Sequence, residues 1–366
     1  MCIRDSLICI PSTRPFDLFN PDRKSSLKLY INRVFITDKC DALIPSYLRF
    51  IKGLVDTQDI DLNVSREMLQ NNPAVAKISK SLVGKILREL KKVSEKNADG
   101  YKSFWKEYGA VLKEGLYEDA ERKEALLDLC RFSTNENDDP ISLSEYVEKM
   151  PEKQKDIYYI SAETKDQALA SPHLEGFKSK KIPVLIMTDA IDQFWLPMVG
   201  SFKEKKFTSI TQGQINLDDL DEKNKDKKKD DKNEKEKKDK EYVDLVAQLK
   251  VVLGDQVKDI RLSSKLTDSP VCLVADEGDM DIAMEQLMAQ RDTNYKGAPR
   301  ILEINGDHSL IKNMKSLLSK KENNDLVSDA GTLLFEQARL MEGKMPADPA
   351  QFSKIMNQFL LKAIPN

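Results

Sequence analysis

Arg66 and Gln70 lie in the segment LNVSREMLQ (62–70). Ser65 could cap a helix that begins here, and a spacing of four residues would then place Arg66 and Gln70 on one helical face. A guanidinium is planar and permanently charged, and its donor fork matches the oxygens of a phosphate group. An arginine beside Glu67 at a helix start is otherwise an ordinary surface ion pair, which contributes little. The residues alone leave both interpretations open.

Signatures of self-contained catalysis are missing from the sequence. It contains no GxxxxGK[ST] phosphate loop, no GxGxxG, no HExxH and no GxSxG. His173 follows Ser171-Pro172, and His308 follows Asp307 at a predicted helix start. Neither histidine has a nucleophile or a ligand cluster nearby in the sequence, so structural roles suit both better and no metal site is predicted.

The composition indicates folded domains with nearly balanced charge. The 366 residues suffice for roughly two or three domains, and 40% of them are apolar. Charged residues make up 33%, yet the formal net charge is only -3, so no global field favours nucleic acid or a membrane surface. The five cysteines are widely spaced without a CxxC, which argues against disulfides and zinc and favours the cytoplasm. The sequence contains no run of about 18 apolar residues, so no transmembrane helix is predicted.

Apolar periodicity indicates the elements that would position these residues in the first part of the chain. Alternation and β-branched residues over 27–36 predict a strand. Apolar residues at helical spacing over 43–55 predict a helix, and the pattern from 73 to 116 is helical.

From about residue 140 the pattern becomes strand, helix, strand. Strands are predicted at 157–160, 182–187 and 207–210, and Ser171 before Pro172 marks a helix start between the first two. This order predicts a small α/β unit with a right-handed crossover.

Residues 221–241 contain ten lysines, nine acidic residues and no apolar residue. Such a segment cannot bury enough surface to offset the cost of ordering the chain. It is interpreted as a solvated linker or as an exposed continuation of the helix that follows. A nucleic-acid-binding tail is the alternative, which the near-equal numbers of opposite charges weaken.

The last part of the chain reads as a helix, three strands and two terminal amphipathic helices. The first helix is predicted at 242–253, the strands at 257–262, 271–275 and 300–304, and Asp348-Pro349 begins the last helix. The two terminal helices could pack within one chain, or they could form half of a four-helix bundle with a second copy. The candidate dimer-interface residues on their apolar stripes are Leu333, Leu334, Phe352, Ile355, Met356, Phe359 and Leu360.

Nearly the whole chain, from about Leu7 to about Leu361, resembles HtpG-type chaperones of the ninety-kilodalton heat-shock protein family. The stretches that carry the resemblance are IPSTRPFDLFN (10–20), LKLYINRVFITD (27–38), IPSYLRFIKGLVD (44–56), LNVSREMLQ (62–70), DIYYISAETKDQALASPHLE (156–175), RLSSKLTDSPVCLVAD (261–276) and LEINGDHSLI (302–311).

The resemblance implies an α/β (α+β) multidomain fold. A truncated middle domain with two α/β subdomains would precede a mixed α+β dimerisation domain that ends in a helix bundle, which favours the dimer over intramolecular packing. The expected divisions are a start unlike the family (1–6), the large part of the middle domain (7–135), its small α/β subdomain (136–215), a charged linker (216–241) and the C-terminal dimerisation domain (242–366).

The resemblance also implies roles for Arg66 and Gln70. In this family the arginine contacts the γ-phosphate of ATP, which a separate N-terminal domain holds with Mg²⁺, and the glutamine lies close by. That domain is not recognised in this chain, so we expect the chain alone to bind no cofactor and to hydrolyse no ATP. We expect Met1–Ser6 to reflect a truncated gene model or an assembly junction and not a natural start. The end at Pro365-Asn366 lacks the acidic motif of cytosolic eukaryotic members, which indicates a bacterial or organellar one.

Two apolar groups are candidate contacts for client proteins. Met280, Met284, Leu287 and Met288 are predicted to share one face of a helix, and flexible methionines suit promiscuous binding. The alternative is that they belong to the core, but their position relative to the family favours a client-facing role. Phe194 and Trp195 form a second candidate patch.

Two functions follow. One is the middle and C-terminal part of an ATP-dependent, cytoplasmic chaperone that binds unfolded or partly folded clients as a homodimer. The other is a naturally truncated dimerising scaffold or client-binding protein without ATPase coupling. Neither involves nucleic acid or a membrane.

Overall fold

The computed structural model divides the chain into two compact units. Unit 1 comprises Met1–Phe132, Pro140–Glu148 and Asp189–Glu204, and unit 2 comprises Ser133–Asp139, Lys149–Thr188 and Lys205–Asn366. The structure describes residues 5–20, 26–38, 40–60, 69, 72–217, 228–292, 295, 297–318 and 324–364. Within these ranges, no helix is both long enough and apolar enough to cross a membrane. The divisions predicted at 135, 215 and 241 stay predictions.

The chain contains many helices and several separate sheets, which confirms the predicted α/β (α+β) multidomain class. The strands are β1 (Asp5–Cys9), β2 (Ser26–Ile31), β3 (Val34–Thr37), β4 (Lys52–Thr57), β5 (Arg131–Thr134), β6 (Ile141–Ser142), β7 (Ile157–Ser161), β8 (Leu185–Met187), β9 (Ser201–Phe202), β10 (Lys205–Ser209), β11 (Val257–Leu262), β12 (Val271–Val274) and β13 (Arg300–Ile304). The helices are α1 (Pro73–Lys96), α2 (Ala98–Glu118), α3 (Lys123–Leu129), α4 (Leu143–Lys149), α5 (Lys165–Leu169), α6 (Glu175–Ser179), α7 (Asp192–Val199), α8 (Lys228–Leu253), α9 (Ile282–Arg291), α10 (Ser309–Leu318), α11 (Asn324–Met341) and α12 (Pro349–Ala363).

Unit 1 contains a four-stranded sheet in the order β1-β4-β2-β3. β4 runs antiparallel to β1 and parallel to β2, and β2 and β3 form an antiparallel hairpin. The single strand predicted over 27–36 is therefore wrong. Asn32 and Arg33 have φ angles of 50° and 68°, and two successive residues in this region reverse the chain in a tight hairpin turn.

The helix predicted over 43–55 is also wrong, because a short 3₁₀ turn at Ser46–Leu48 leads into β4. The apolar residues of the 3₁₀ turn and of β4 together have the spacing expected of a helix. Gly53 lies in β4 directly against β1, and an added Cβ would lie 2.0 Å from the carbonyl oxygen of Leu7. Only glycine permits this close approach of β1 to β4.

The helical pattern predicted from 73 to 116 is confirmed, but two helices share it. Asn97 ends α1, and its side-chain oxygen accepts a hydrogen bond of 2.9 Å from the Gly100 amide to begin α2. Val83, Ile86 and Leu87 on the apolar stripe of α1 are buried.

A buried cluster of opposite charges joins α2 to the start of α7 in unit 1. The ammonium of Lys113, whose side chain is 4% exposed, lies 2.7 Å and 2.8 Å from the carboxylate oxygens of Asp192 and 2.6 Å from Asp189. The indole of Trp195 donates a further bond of 2.7 Å to Asp192. Burial opposes the charge on Lys113, but the carboxylates of Asp192 and Asp189 outweigh it and hold the lysine pKa above its usual range.

Unit 2 contains the small α/β unit that the sequence predicted. β8 pairs in parallel with β7, β7 pairs in parallel with β10, and the second half of β5 pairs antiparallel with β8. The hydroxyl of Ser171 accepts a hydrogen bond from the His173 amide at 3.4 Å, as expected of a cap before Pro172. Phe177 and Ile186 lie in the core between the strands and helices.

The rest of unit 2 is built on a three-stranded sheet in the order β11-β13-β12. β13 runs parallel to β11 and antiparallel to β12, and these strands agree with the predicted ones. A core of residues from α8, α10 and α11 packs against the sheet, including Leu245, Ile311 and Val327. The charged stretch from Lys228 onward continues helix α8, which was one of the alternatives. Asp348 caps α12 by accepting a 2.9 Å bond from the Gln351 amide.

Glu175 at the start of α6 holds the loop before β12. Its carboxylate accepts backbone bonds of 2.8 Å from Thr267, 2.8 Å from Asp268 and 3.1 Å from Ser269, and also accepts from the Ser269 hydroxyl. Burial alone would raise the pKa of Glu175, but the bonds from Ser269, Asp268 and Thr267 outweigh burial and lower it. The charged carboxylate is therefore the form that the fold stabilises.

Replacing Lys113 tests the charge cluster of unit 1. Lys113→Met leaves two carboxylates near the core without their cation, and we expect the free energy of unfolding to fall by about 3–5 kcal/mol. Urea unfolding followed by tryptophan fluorescence measures it, because the two tryptophans, Trp105 and Trp195, both belong to unit 1. Lys80→Met is the control, since Lys80 pairs with Glu121 where both side chains are 69% and 65% exposed. Equal destabilisation by both substitutions would contradict the prediction.

Replacing Glu175 tests the carboxylate that holds the β12 loop. Because its folded-state pKa is lowered, the charge stabilises the fold above the usual glutamate pKa, and this contribution disappears as pH falls through the folded value. Glu175→Gln should therefore cost about 1–3 kcal/mol at pH 7 and progressively less below about pH 4. Urea unfolding followed by circular dichroism at both pH values measures the difference. The exposed Glu277→Gln serves as control, and a cost for Glu175→Gln that does not depend on pH would refute the explanation.

Candidate functional site

The predicted phosphate-contacting residues, Arg66 and Gln70, lie outside the described residues. The segment that carries them is bounded by described elements of unit 1. Before it, β4 ends at Thr57, whose hydroxyl accepts a 3.1 Å bond from the Asp59 amide. After it, the side-chain oxygen of Asn72 accepts a 2.8 Å bond from the Ala74 amide and caps α1. The roles of Arg66 and Gln70 stay predictions.

The two histidines occupy structural positions. His173 is buried, and burial together with the charge of Lys265 lowers its pKa to about 3, so the imidazole is neutral near pH 7. His308 precedes α10, and its Nδ1 accepts a hydrogen bond of 3.1 Å from the amide of Leu310. Within the described parts of the chain, no group of three or more His, Cys, Asp or Glu side chains is arranged to hold a metal ion.

Helix α9 carries three of the four predicted client-binding residues near its surface. Met284, Leu287 and Met288 are each half-buried. Met280 is exposed but lies before the cap residue of the helix, Asp281, and not on the helix itself as predicted. We call Met280, Met284, Leu287 and Met288 the methionine surface.

Asp281 fixes the start of α9 to the small α/β part of unit 2. One carboxylate oxygen accepts a 3.0 Å bond from the Ala283 amide and caps the helix. The other accepts from the hydroxyls of Ser209 and Thr211, the latter at 2.9 Å, at the end of β10. Because both oxygens are used, the direction in which α9 leaves the sheet is set by side chains from β10.

The loop that carries Met280 is held from two sides. The side-chain Nε2 of Gln212 donates a 2.7 Å bond to the Asp279 carbonyl and a 3.2 Å bond to that of Glu277. Arg300 at the start of β13 donates a 3.0 Å bond from Nη1 to the Met280 carbonyl. The exposed methionine is thus attached to a backbone with several hydrogen bonds.

Arg300 also forms an ion pair with Glu285 in the first turn of α9. Nη2 of Arg300 contacts Glu285 Oε2, and the side chains are 4% and 3% exposed. The Ala298 amide donates a 2.7 Å bond to Glu285 Oε1, and Lys344 lies 3.4 Å from Oε2. The buried charge therefore has a hydrogen-bond partner for each oxygen, as such a group requires.

The second predicted client patch is divided by the structure. Trp195 is fully buried on the inner side of α7, and its indole donates to Asp192, so a client cannot contact it there. Phe194 is half-exposed and lies edge-on to Tyr117, with ring centroids 6.4 Å apart. Met198 is exposed on the same helix, and its spacing of four residues from Phe194 could have indicated that the two share a face.

The candidate dimer residues fall into three groups by burial. Leu334 and Ile355 lie in the interior of unit 2, and α11 and α12 pack together, so intramolecular packing claims part of both stripes. The half-buried members are Leu333, Phe352 and Phe359. Met356 and Leu360 are exposed, as are Leu361 and Ile364, which are 75% and 72% exposed and are not among the predicted interface residues. Burial of Leu334 and Ile355 corrects their assignment to a surface that a second copy could contact.

Comparison with known proteins identifies the family. The family model described as Hsp90 protein matches residues 3–365. Proteins named chaperone protein HtpG from Roseobacter denitrificans and Paramagnetospirillum magneticum are each 45% identical to this chain, over 361 and 358 residues. One from Wolbachia pipientis is 42% identical over 367 residues.

These alignments cover 98% of this chain but only 56–58% of the length of the three relatives. The matched region is slightly wider than the predicted one at both ends. A family model that spans nearly all of the chain and relatives above 40% identity agree with each other. The chain belongs to the Hsp90 family, and its resemblance to the bacterial HtpG-type chaperones is confirmed.

Proposed function

We propose that this chain is the middle and C-terminal part of an ATP-dependent, cytoplasmic molecular chaperone. It binds unfolded or partly folded client proteins as a homodimer. The methionine surface is the main client contact in this proposal. Family membership supports the class of function, and the arrangement of α9 supports the location.

The observation that carries the proposal is that α9 buries a charged residue while three of its apolar residues stay partly exposed. A helix on a folded domain normally turns apolar residues inward and charged residues outward. Here the charged Glu285 is buried, whereas Met284, Leu287 and Met288 stay half-exposed. Apolar side chains kept near the surface by a supported backbone are typical of a binding surface. Methionine is flexible and polarizable, which suits clients of many sequences.

The support beneath the surface favours binding energetically. Asp281, Gln212 and Arg300 hold the backbone around Met280 through hydrogen bonds. The free-energy cost of ordering on binding then comes mainly from the client's own chain, because the surface itself needs little reorganisation. The side chains remain adaptable while the backbone is fixed.

A smaller apolar area on α7 is a second proposed client contact, confined to unit 1. Phe194 and Met198 face outward, whereas Trp195 supports the helix from inside. The ion pair between Lys113 and Asp192 holds the start of α7. We therefore assign client contact to Phe194 and Met198 and exclude Trp195.

Dimerisation is proposed through α12. Met356, Leu360, Leu361 and Ile364 leave an apolar area exposed after Ile355 has packed inside the chain. In an isologous interface the same area of a second copy covers it, so each contact occurs twice. Family membership supports a dimer in kind.

We infer that Arg66 acts on ATP that a domain outside this chain holds with Mg²⁺. A guanidinium offers the charge and the donor fork that suit the γ-phosphate, and Gln70 would lie beside it. The described ends of the segment are fixed by β4 and by the cap of α1. An arginine so tethered would respond to the arrival of the nucleotide domain, which couples hydrolysis to domain docking.

The methionine surface is tested by Met284→Ser/Met288→Ser in the full chain. Full burial of one methionine contributes about 1.5–3 kcal/mol, so we expect the apparent Kd for an unfolded client to rise about tenfold or more. Fluorescence anisotropy with a labelled, reduced and carboxymethylated protein that cannot refold measures the affinity. Sedimentation is expected to show an unchanged dimer.

The control for this experiment is Val251→Ser, which removes an exposed apolar side chain from α8, 80% exposed and far along the sequence from α9. It should leave client affinity unchanged. Parent-like affinity in the methionine variant, or equal weakening by Val251→Ser, would reject the surface.

Arg66 is tested by mixing this chain with a full-length HtpG-type partner whose own corresponding arginine has been replaced. If Arg66 completes an ATPase site, heterodimers should regain hydrolysis, and Arg66→Ala should lower that rate by about tenfold or more. Arg88→Ala on the exposed side of α1 is the control and should hydrolyse like the parent. No recovery of hydrolysis under conditions where heterodimers form would count against the role.

A further inference from the structure

The inner side of α9 faces an open cleft instead of a dry core. The cleft has a volume of about 650 Å³ and lies within unit 2. Polar residues line it from the helix, among them Gln286 and Gln290, and Glu342 and Lys344 line it from the end of α11 onward. Ile282 is the buried apolar residue of α9. Discrete polar contacts are therefore needed to position this side of the helix, in addition to the cap that Asp281 forms.

Those contacts differ in how much of the helix they restrain. Gln286 bonds the Glu342 carbonyl at 2.6 Å, and Gln290 bonds Glu163 at 3.0 Å, but Gln290 and Glu163 are exposed to solvent. Arg300 is buried and reaches two points at once, the Met280 carbonyl and the Glu285 carboxylate. One point precedes the cap and the other lies in the first turn.

We propose that Arg300 is a positioning residue for client binding. Its planar fork joins the loop that carries Met280 to the helix that carries Met284 and Met288, so the methionines form one surface. The proposal rests on the client-binding function assigned to that surface. Asp281 and Gln212 would still hold the helix start and part of the loop. Without the fork, however, the first turn of α9 would lose its tie to the Met280 carbonyl, and only a fraction of molecules would present the complete surface. The apparent Kd rises in inverse proportion to that fraction.

Lys344 cannot replace the fork. Its ammonium donates a long hydrogen bond of 3.4 Å to Glu285 Oε2 and also lies 3.4 Å from Glu342, so it is shared between two carboxylates. A lysine ammonium acts as a point charge and lacks the rigid two-point geometry of arginine. The structure gives Met280 no contact with this lysine among the described hydrogen bonds.

The test measures the affinity of full-chain Arg300→Met for the labelled carboxymethylated protein. We expect the apparent Kd to rise about tenfold, corresponding to about one tenth of molecules with the complete surface. Arg261→Met is the matched control, because Arg261 pairs with buried Glu303 on β13 at 2.8 Å and 3.0 Å and its other described hydrogen bond goes to the Gly213 carbonyl, not to α9. It should change Kd by less than about twofold. Equal weakening by both substitutions would overturn the proposal in favour of a general structural role.

Combining Arg300→Met with Met284→Ser/Met288→Ser separates the two hypotheses. Because Arg300 acts through the methionines, adding its substitution to the serine variant should weaken binding little further. If Arg300→Met instead weakened binding by general destabilisation, the losses of binding free energy from the two changes would add. Additive losses would overturn the positioning role. If the serine variant alone binds like the parent, the proposed function fails. If it is weakened but Arg300→Met binds like the parent, only the positioning role fails.

A second variant covers the case in which Arg300→Met does not fold. Arg300→Met/Glu285→Gln removes the carboxylate that would otherwise be buried without its main partner. It should fold and still bind the client about tenfold more weakly than the parent. Parent-like affinity in this variant would show that the fork does not position the surface.

Discussion

The buried contact between Arg300 and Glu285 is the constraint on which the methionine surface depends. An ionised carboxylate can lie in the interior only when it is paired and hydrogen-bonded, and both oxygens of Glu285 meet that condition. A helix whose inner side is occupied by this polar contact cannot also turn its methionines inward. Burial of a charge and exposure of Met284 and Met288 are therefore two consequences of one packing choice.

The same principle operates separately in unit 1. Asp192 is buried against Lys113 and also accepts from the Trp195 indole, so the start of α7 is fixed by polar contacts within the interior. Phe194 and Met198 then remain toward the surface. In both units, a buried ion pair does more to orient a helix than to stabilise the fold, because pairing mainly offsets the cost of desolvation. Directional contacts of this kind specify orientation better than apolar packing, which is non-directional.

What could be predicted from the sequence follows from the range of the interactions involved. Strands β11 and β13 and the Asp348 cap depend on local patterns, and they occur where the sequence placed them. The β2–β3 turn was missed because Arg33 is an unusual residue for a positive φ. Burial of Trp195 depends on Lys113 and Asp192, which are 79 residues apart, so a local sequence pattern could not have predicted it. The polar inner side of α9 also depends on a contact between elements, since Arg300 comes from strand β13 and not from the helix.

The terminal helix shows how packing within a chain and assembly between chains divide one apolar stripe. The stripe of α12 is wider than α11 can cover, so Ile355 is buried while Leu361 and Ile364 remain 75% and 72% exposed. The sequence alone posed intramolecular and intermolecular packing as alternatives, but a stripe this wide has room for both. The two terminal helices pack together, and only a body with a fixed shape can present a self-complementary area to a second copy. Intramolecular packing of α11 and α12 is thus compatible with the assembly that we propose.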